Sequence, residues 1–130
     1  GEEIIKILSE SPFVPEKILL QPMKNEDELR LWLSENGFLI ADERLALDSG
    51  KIYQIMRAVW DGKKRTFTQT ELLLGKGNIE AREENEELFL RLCEKYLDMY
   101  GKKVRGLKPD TAEYAQAKRV YDEITALSKI

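Results

Sequence analysis

Apolar residues recur along this chain with two different rhythms, and the rhythm changes at Gly75-Lys76-Gly77-Asn78. Ahead of that point they come in short runs broken by turn residues; beyond it they return every three to four positions, the spacing of a helix face. The first run, Glu2–Glu10, carries Ile4, Ile5, Ile7 and Leu8 at helical spacing. Ser11-Pro12 stops it, because proline disfavours helix in the residue before it. After the apolar connection Phe13-Val14-Pro15 comes Lys17–Gln21, in which Ile18, Leu19 and Leu20 are consecutive. A short continuous apolar run predicts a strand covered on both faces, like a central parallel strand. Pro22 cannot donate to a ladder and ends it.

Asn25 is then predicted to cap a helix, with Glu28 at capping-box spacing. Glu26, Asp27 and Glu28 fill its first turn, where the helix dipole favours each carboxylate by roughly 0.3–1 kcal/mol. Leu29, Trp32 and Leu33 form its buried face, and Asn36-Gly37 closes it, glycine suiting the left-handed position after a helix. Phe38–Leu47 and Lys51–Trp60 read as strands joined by the tight turn Asp48-Ser49-Gly50, the second apolar enough to lie inside the sheet. Asp61–Arg65 is a charged turn, and Thr66–Leu74 is predicted as a short extended segment. Ile79–Leu107, with Leu88, Leu92, Cys93, Tyr96 and Tyr100, and Thr111–Leu127, with Tyr114, Ala117, Val120, Tyr121, Ile124 and Leu127, predict two long helices. A turn at Lys108-Pro109-Asp110 folds them into an antiparallel hairpin. The chain thus divides into an α/β part, residues 1–74, and a helical hairpin, residues 75–130.

Composition narrows the chemistry. The 130 residues are about one domain's worth. A 35% charged fraction fits long solvated helices, and the net charge of −3 excludes a globally basic nucleic-acid binder while leaving local basic patches open. The absence of histidine removes Ser-His-Asp and Cys-His catalysis and histidine-ligated metals. One cysteine, Cys93, permits no intrachain disulfide and no cysteine-rich zinc site, which fits a reducing, cytoplasmic setting. No apolar run approaches the roughly 20 residues of a membrane span. The opening GEEIIKIL lacks the features of a signal peptide and reads as the middle of a helix, so the sequence is expected to be a piece of a longer chain.

A parallel strand followed by an antiparallel strand hairpin ends the sheet of class I methyltransferases, and here the residues also match. KILLQP (17–22), LRLWLSENGF (29–38) and GKIYQIM (50–56) resemble the bacterial tRNA adenine-N1 methyltransferase family. The matching positions are Gln21-Pro22 at the strand end, Leu29-Arg30, Trp32-Leu33 and Gly37 in the helix, Glu43 on the next strand, and Gly50-Lys51 with Tyr53 at the hairpin exit. One position departs: where the family usually has Asn after Gln-Pro, this chain has Met23, and Asn25 is the candidate to act in its place.

The resemblance implies the C-terminal part of a Rossmann-like sheet followed by an antiparallel, coiled-coil helical arm. It implies S-adenosylmethionine (SAM) as methyl donor and tRNA as substrate, with no metal. The glycine-rich cofactor turn of the family is not found in this sequence, so no cofactor-binding residue is assigned, this chain alone is expected to be inactive, and the catalytic residue is unknown. Gln21, Pro22, Met23, Asn25 and Tyr53 are the candidate target-base residues. An amide can read an adenine edge, and a flipped base needs a snug apolar wall. The plainer alternative is that they turn the chain and cap a helix. Lys63, Lys64 and Arg65, and Lys102, Lys103, Arg105 and Lys108, are candidate phosphate contacts or merely solvated faces. Arg30 is expected to pair with Glu26 one turn back, and Glu43, on the strand face of Leu39, Leu45 and Leu47, with a basic residue across the hairpin. Trp32 and Cys93 are expected in the core. An exposed edge of the half sheet, or the arm, predicts a homodimer. The competing function is a non-catalytic α/β and coiled-coil interaction module.

Overall fold

The computed structural model describes residues 17–22 and 24–130, so the expected helix at 2–10, the connection after it and Met23 lie outside the described residues. In chain order the elements are β1 (Lys17–Leu20), α1 (Glu26–Glu35), β2 (Phe38–Asp48), β3 (Lys51–Trp60), α2 (Gln69–Leu74), α3 (Lys76–Glu80), α4 (Glu86–Gly106) and α5 (Ala112–Leu127). The strands form one sheet in the order β1-β3-β2. Both pairings with β3 are antiparallel, so β1 and β2 run parallel with β3 inserted between them. This is the expected sheet ending, with the last strand in the interior. Ser49 at φ 53° and Gly50 at φ 78° make the turn between β2 and β3, the pair of positive φ angles whose twist matches flanking strands.

Register sets the shape of the sheet's ligand end. Leu20 lies opposite Met56, whereas the ladder between β2 and β3 continues to Asp48 and Lys51. The hairpin therefore projects past the carboxyl end of β1. A bulge between Ile40 and Asp42 shifts the phase of β2. Before it, Phe38 and Ile40 point into the core; after it, Glu43 and Leu45 do. An unbroken period of two would put Leu39 and Glu43 on one face, as the sequence pattern suggests; the extra residue at the bulge places Leu39 on the opposite, exposed face.

Two apolar clusters hold the molecule together. Leu20, Leu29, Leu33, Phe38, Met56 and Ala58 join the sheet to α1. Leu73 and Leu74 of α2 join Phe89, Leu92, Cys93, Tyr96, Tyr100, Ala117, Val120 and Ile124 of the arm, with Leu45 and Ile52 packed against them. Cys93 is thus core, as expected. Trp32 is only partly buried, stacked on Phe38 at 6.0 Å, because it sits at the border of the first cluster.

Several local expectations change. Residues 69–74 are helical rather than extended, since Thr68 and Glu71 form a reciprocal capping box ahead of three buried leucines, of which Leu73 and Leu74 pack on the arm. The single helix expected from Ile79 to Leu107 is two, α3 and α4, separated by turns at 81–84. The Gly77 N–H donates to Glu43 and the Asn78 amide to the Leu74 carbonyl, which fixes α3 against the sheet and off the line of α4. α4 runs without a break through Gly101 to Gly106. β1 is covered on one face only among the described residues: Leu20 is buried, while Leu19 is 74% exposed.

Candidate functional site

The carboxyl end of β1 opens into a corner formed by Gln21, Pro22 and Asn25. Gln21 is exposed, while Pro22 is fully buried, so its ring packs inside the protein. Asn25 is not the expected side-chain cap. It lies in the left-handed region (φ 57°, ψ 43°), its amide makes no capping bond, and only its carbonyl engages the helix, accepting from the Leu29 N–H. The capping box with Glu28 therefore does not form. A left-handed conformation without glycine is uncommon and asparagine tolerates it best. Its consequence is a half-buried amide left uncommitted at the strand end.

Behind the corner lies a buried polar network that sequence patterning did not anticipate. Arg30, 2% exposed, donates from Nε to Glu43 Oε1 at 2.8 Å. Its Nη1 reaches the carbonyls of Leu72 (2.7 Å) and Leu73 (3.0 Å), and its Nη2 reaches Gln54 Oε1 at 2.5 Å. Gln54 in turn donates to the Leu73 carbonyl and to the Tyr96 hydroxyl. That hydroxyl donates to Glu26 Oε2 at 3.1 Å, and Lys95 Nζ stands 3.8 Å from Glu26 Oε1. Burial, and then the Glu26 carboxylate beside it, push the Tyr96 pKa far above the usual phenol value, so Tyr96 stays a proton donor. Arg30 thus pairs with Glu43 across elements instead of with Glu26. Glu43 finds its cation on α1, not across the hairpin, because the bulge turns it inward. Gly75 and Gly77 make the approach possible: a Cβ at Gly75 would lie 2.5 Å from both Arg30 Nη2 and Glu43 Oε1, and one at Gly77 would lie 2.9 Å from Glu43 Oε2. The apparent linker is a cradle for the ion pair.

The basic candidates separate into two places. Asp61 and Gly62 donate backbone N–H groups to the Gly37 carbonyl and Arg65 to that of Ser34. Lys63, Lys64 and Arg65 therefore sit at the far end of α1, away from the corner. Arg65 is already engaged with the Asp61 carboxylate. That hydrogen bond, helped by the Lys63 backbone N–H, lowers Asp61 to a pKa of about 2.

The arm tip, by contrast, comes to the first turn of α1. Lys103, Tyr100, Gly106, Leu107 and Glu113 line a cavity of about 580 Å³ together with Asp27 and Gln69, which are hydrogen-bonded to each other at 3.0 Å. Lys103 Nζ stands 4.6 Å from the centre of the Tyr100 ring, and Lys102 pairs with Asp98 at 3.2 Å. Arg105 and Lys108 are exposed on the same tip. Tyr53 is half-buried on the projecting part of β3, at a separate hollow against α4. Among the described residues no cluster of acidic and cysteine side chains could hold a metal ion. Nor does any of them form a glycine-rich turn after a strand that would seat a nucleoside cofactor; β1 ends in Gln21-Pro22.

Comparison with known proteins fits this geometry. A search of curated proteins finds no match. Among solved structures, a Streptococcus agalactiae protein of the NADB-Rossmann superfamily superposes with a TM-score of 0.75 at 23% identity, covering 99% of this chain and 56% of its own. TrmK from M. capricolum, solved with S-adenosyl-homocysteine, gives 0.70 at 16% identity, with 96% and 54% covered. The B. subtilis M1A22 tRNA methyltransferase TrmK gives 0.60 at 20% identity, with 87% and 50% covered. This chain therefore shares the fold of these structures and spans about half of their length. The TrmK family, described as tRNA (adenine(22)-N(1))-methyltransferase, matches residues 1–129, and with that match over almost its whole length the chain belongs to this family.

Proposed function

We propose that this chain is the C-terminal portion of a SAM-dependent enzyme that methylates N1 of an adenine in tRNA. The observation that carries the reading is the family match over residues 1–129. It is supported by the solved TrmK structure that holds S-adenosyl-homocysteine. SAM would supply a reactive methyl group; the described residues do not fit its binding, and no step through it is assigned to this chain. What they do fit is the nucleic-acid side of the reaction. Pro22, fully buried, backs the corner that would receive an extruded adenine, and the Asn25 amide supplies the donor and acceptor that match adenine N6 and N7. Reading that edge leaves the N1 lone pair uncommitted, which the chemistry requires. Gln21 completes the rim on this reading, Met23 is the further candidate outside the described residues, and Asn25 takes the role of the family's usual Asn at position 23.

The division into a sheet part, 1–74, and a coiled-coil-like arm, 75–130, follows the change of apolar period, with Leu73 and Leu74 bolting the two together. Lys102, Lys103, Arg105 and Lys108 on the arm tip, beside the first turn of α1, are the phosphate contacts this reading favours; Lys63, Lys64 and Arg65 are more distant ones. No helix among the described residues is long and apolar enough to cross a membrane, and the enzyme works on tRNA in the cytoplasm in this proposal. The test is binding by the 130-residue chain. Labelled tRNA is expected to bind with salt-dependent affinity, while a SAM titration to low micromolar concentration is expected to give no heat. Absence of tRNA binding would favour the non-catalytic interaction module, and SAM binding would overturn the assignment of the cofactor elsewhere.

A further inference from the structure

The Gly50-Lys51-x-Tyr53 motif has no part in the corner or in the buried network, yet the fold gives it a definite neighbourhood. Because the hairpin of β2 and β3 projects past β1, its end stands against the middle of α4. Between them is a hollow of about 490 Å³ lined by Leu47, Gly50, Lys51, Ile52 and Tyr53 on one side and by Arg91, Glu94 and Lys95 on the other. Three cations and one carboxylate meet there, in a chain whose net charge is −3.

These cations are lightly committed. Arg91 is 46% exposed and lies 3.8 Å from Glu87, itself 80% exposed, in an i,i+4 pair. Lys95, 38% exposed, lies 3.8 Å from Glu26. Lys51 is exposed and forms no ion pair with any described carboxylate. The exposed Arg91–Glu87 pair contributes little at this distance, so an incoming anion competes with it easily, while Lys95 stays beside the buried Glu26 carboxylate and faces the hollow from there. The hollow lies at the end of the sheet beyond the carboxyl end of β1, and Lys95 links it to Glu26, the residue after Asn25. Its occupant must therefore be anionic, must reach the hollow from the corner, and must tolerate an aromatic rim.

We propose that this hollow binds the phosphodiester backbone of the RNA nucleotide next to the target base, held by Lys51, Arg91 and Lys95 with Tyr53 at its rim. The proposal rests on the reading of the chain as a tRNA-binding segment and locates a phosphate site away from both basic runs of the sequence. Seating a flanking phosphate here would anchor the strand on one side of the extruded base, with the arm tip on the other.

The experiment measures fluorescence anisotropy of a labelled tRNA transcript with the 130-residue chain across a salt series. The variants are K51A/R91A and, as control, K118A, whose lysine on α5 pairs with Asp122. Each phosphate that the protein no longer neutralises takes about 0.9 from the slope of log affinity against log salt. The double variant is therefore expected to lose about 0.9 of slope and about tenfold in affinity, with K118A like wild type. Both altered positions are exposed, and thermal melts are expected to coincide. Binding by wild type with the same slope in the double variant overturns the hollow alone. Equal losses in K118A reduce it to a general field effect and also overturn it. No binding by wild type overturns the RNA reading and the hollow with it.

Discussion

Arg30 carries more of the structure than any other single side chain described. A charge this deeply buried persists only when its partner and its remaining N–H groups are satisfied. Here Glu43, Gln54 and two carbonyls do so. Removing one member of such a pair costs about 3–5 kcal/mol, so Arg30→Met is expected to lose that much stability in urea denaturation. The combined Arg30→Met, Glu43→Leu variant should lose less than the sum of the two single changes, since no buried charge is left alone. Gly75→Ala is expected to be comparably damaging: at φ 89° a side chain is strained, and its Cβ would meet both members of the pair at 2.5 Å. Full wild-type stability in Gly75→Ala would show that the loop moves aside. Cys93 is the inert counterpart. Burial first, then the nearby Glu94 carboxylate, push its thiol up to about 11. Labelling by a thiol reagent at pH 8 is therefore expected to be slow in the folded chain and to rise to the free-thiol rate in denaturant.

At the scale of elements, the turn after β3 has its own acid limit. Asp61 is lowered from 3.8 to about 2 by the Arg65 hydrogen bond. A depressed carboxylate contributes stability above its unfolded pKa and loses it as pH falls through the folded value. The contribution is thus complete above roughly pH 5 and disappears between about 4 and 2. Asp61→Asn is expected to flatten that part of an acid unfolding curve, followed by circular dichroism, while leaving the neutral region little changed in shape. On β2 the bulge is the decisive element. It turns Glu43 inward and so builds the network, and no residue pattern in FLIADERLALD announces it. α1 shows the opposite relation. Its apolar face is legible in the sequence, but its start is not, because Asn25 reaches the same backbone role through a left-handed turn with its amide left over. For that reason Asn25→Gly, which keeps the left-handed turn and removes the amide, is expected to spare stability, and in an enzyme carrying this segment to lower methyl transfer by about an order of magnitude or more in single-turnover assays. Undiminished turnover would remove Asn25 from the base pocket.

For the molecule as a whole, the arm is tied to the sheet by polar groups as well as by leucines. Tyr96 on α4 reaches Gln54 on β3 and Glu26 on α1, so the arm that would hold tRNA is fixed relative to the corner that would hold its base. The 21 residues of α4 give it a length of about 30 Å, enough to contact RNA well away from that corner. On its other edge β1 has no strand partner among the described residues, and Leu19 stands exposed on the uncovered face beside it. An unpaired apolar edge seeks another chain. The proposed homodimer through this edge predicts a concentration-dependent mass in light scattering, abolished by Leu19→Lys. A monomer at all concentrations would remove it.

The sequence by itself determined the kinds and order of most elements, the tight hairpin, the apolar faces of α1 and the arm, and the family, because these depend on local period, turn chemistry and short motifs. Tertiary structure alone decided how charge is distributed. Which carboxylate Arg30 finds, why Gly75 and Gly77 are glycines, and which lysines gather near the first turn of α1 all depend on residues far apart in the chain. Burial makes those choices: a buried charge must take whatever partner the fold brings within reach, and one bulge in β2 determines which partner that is.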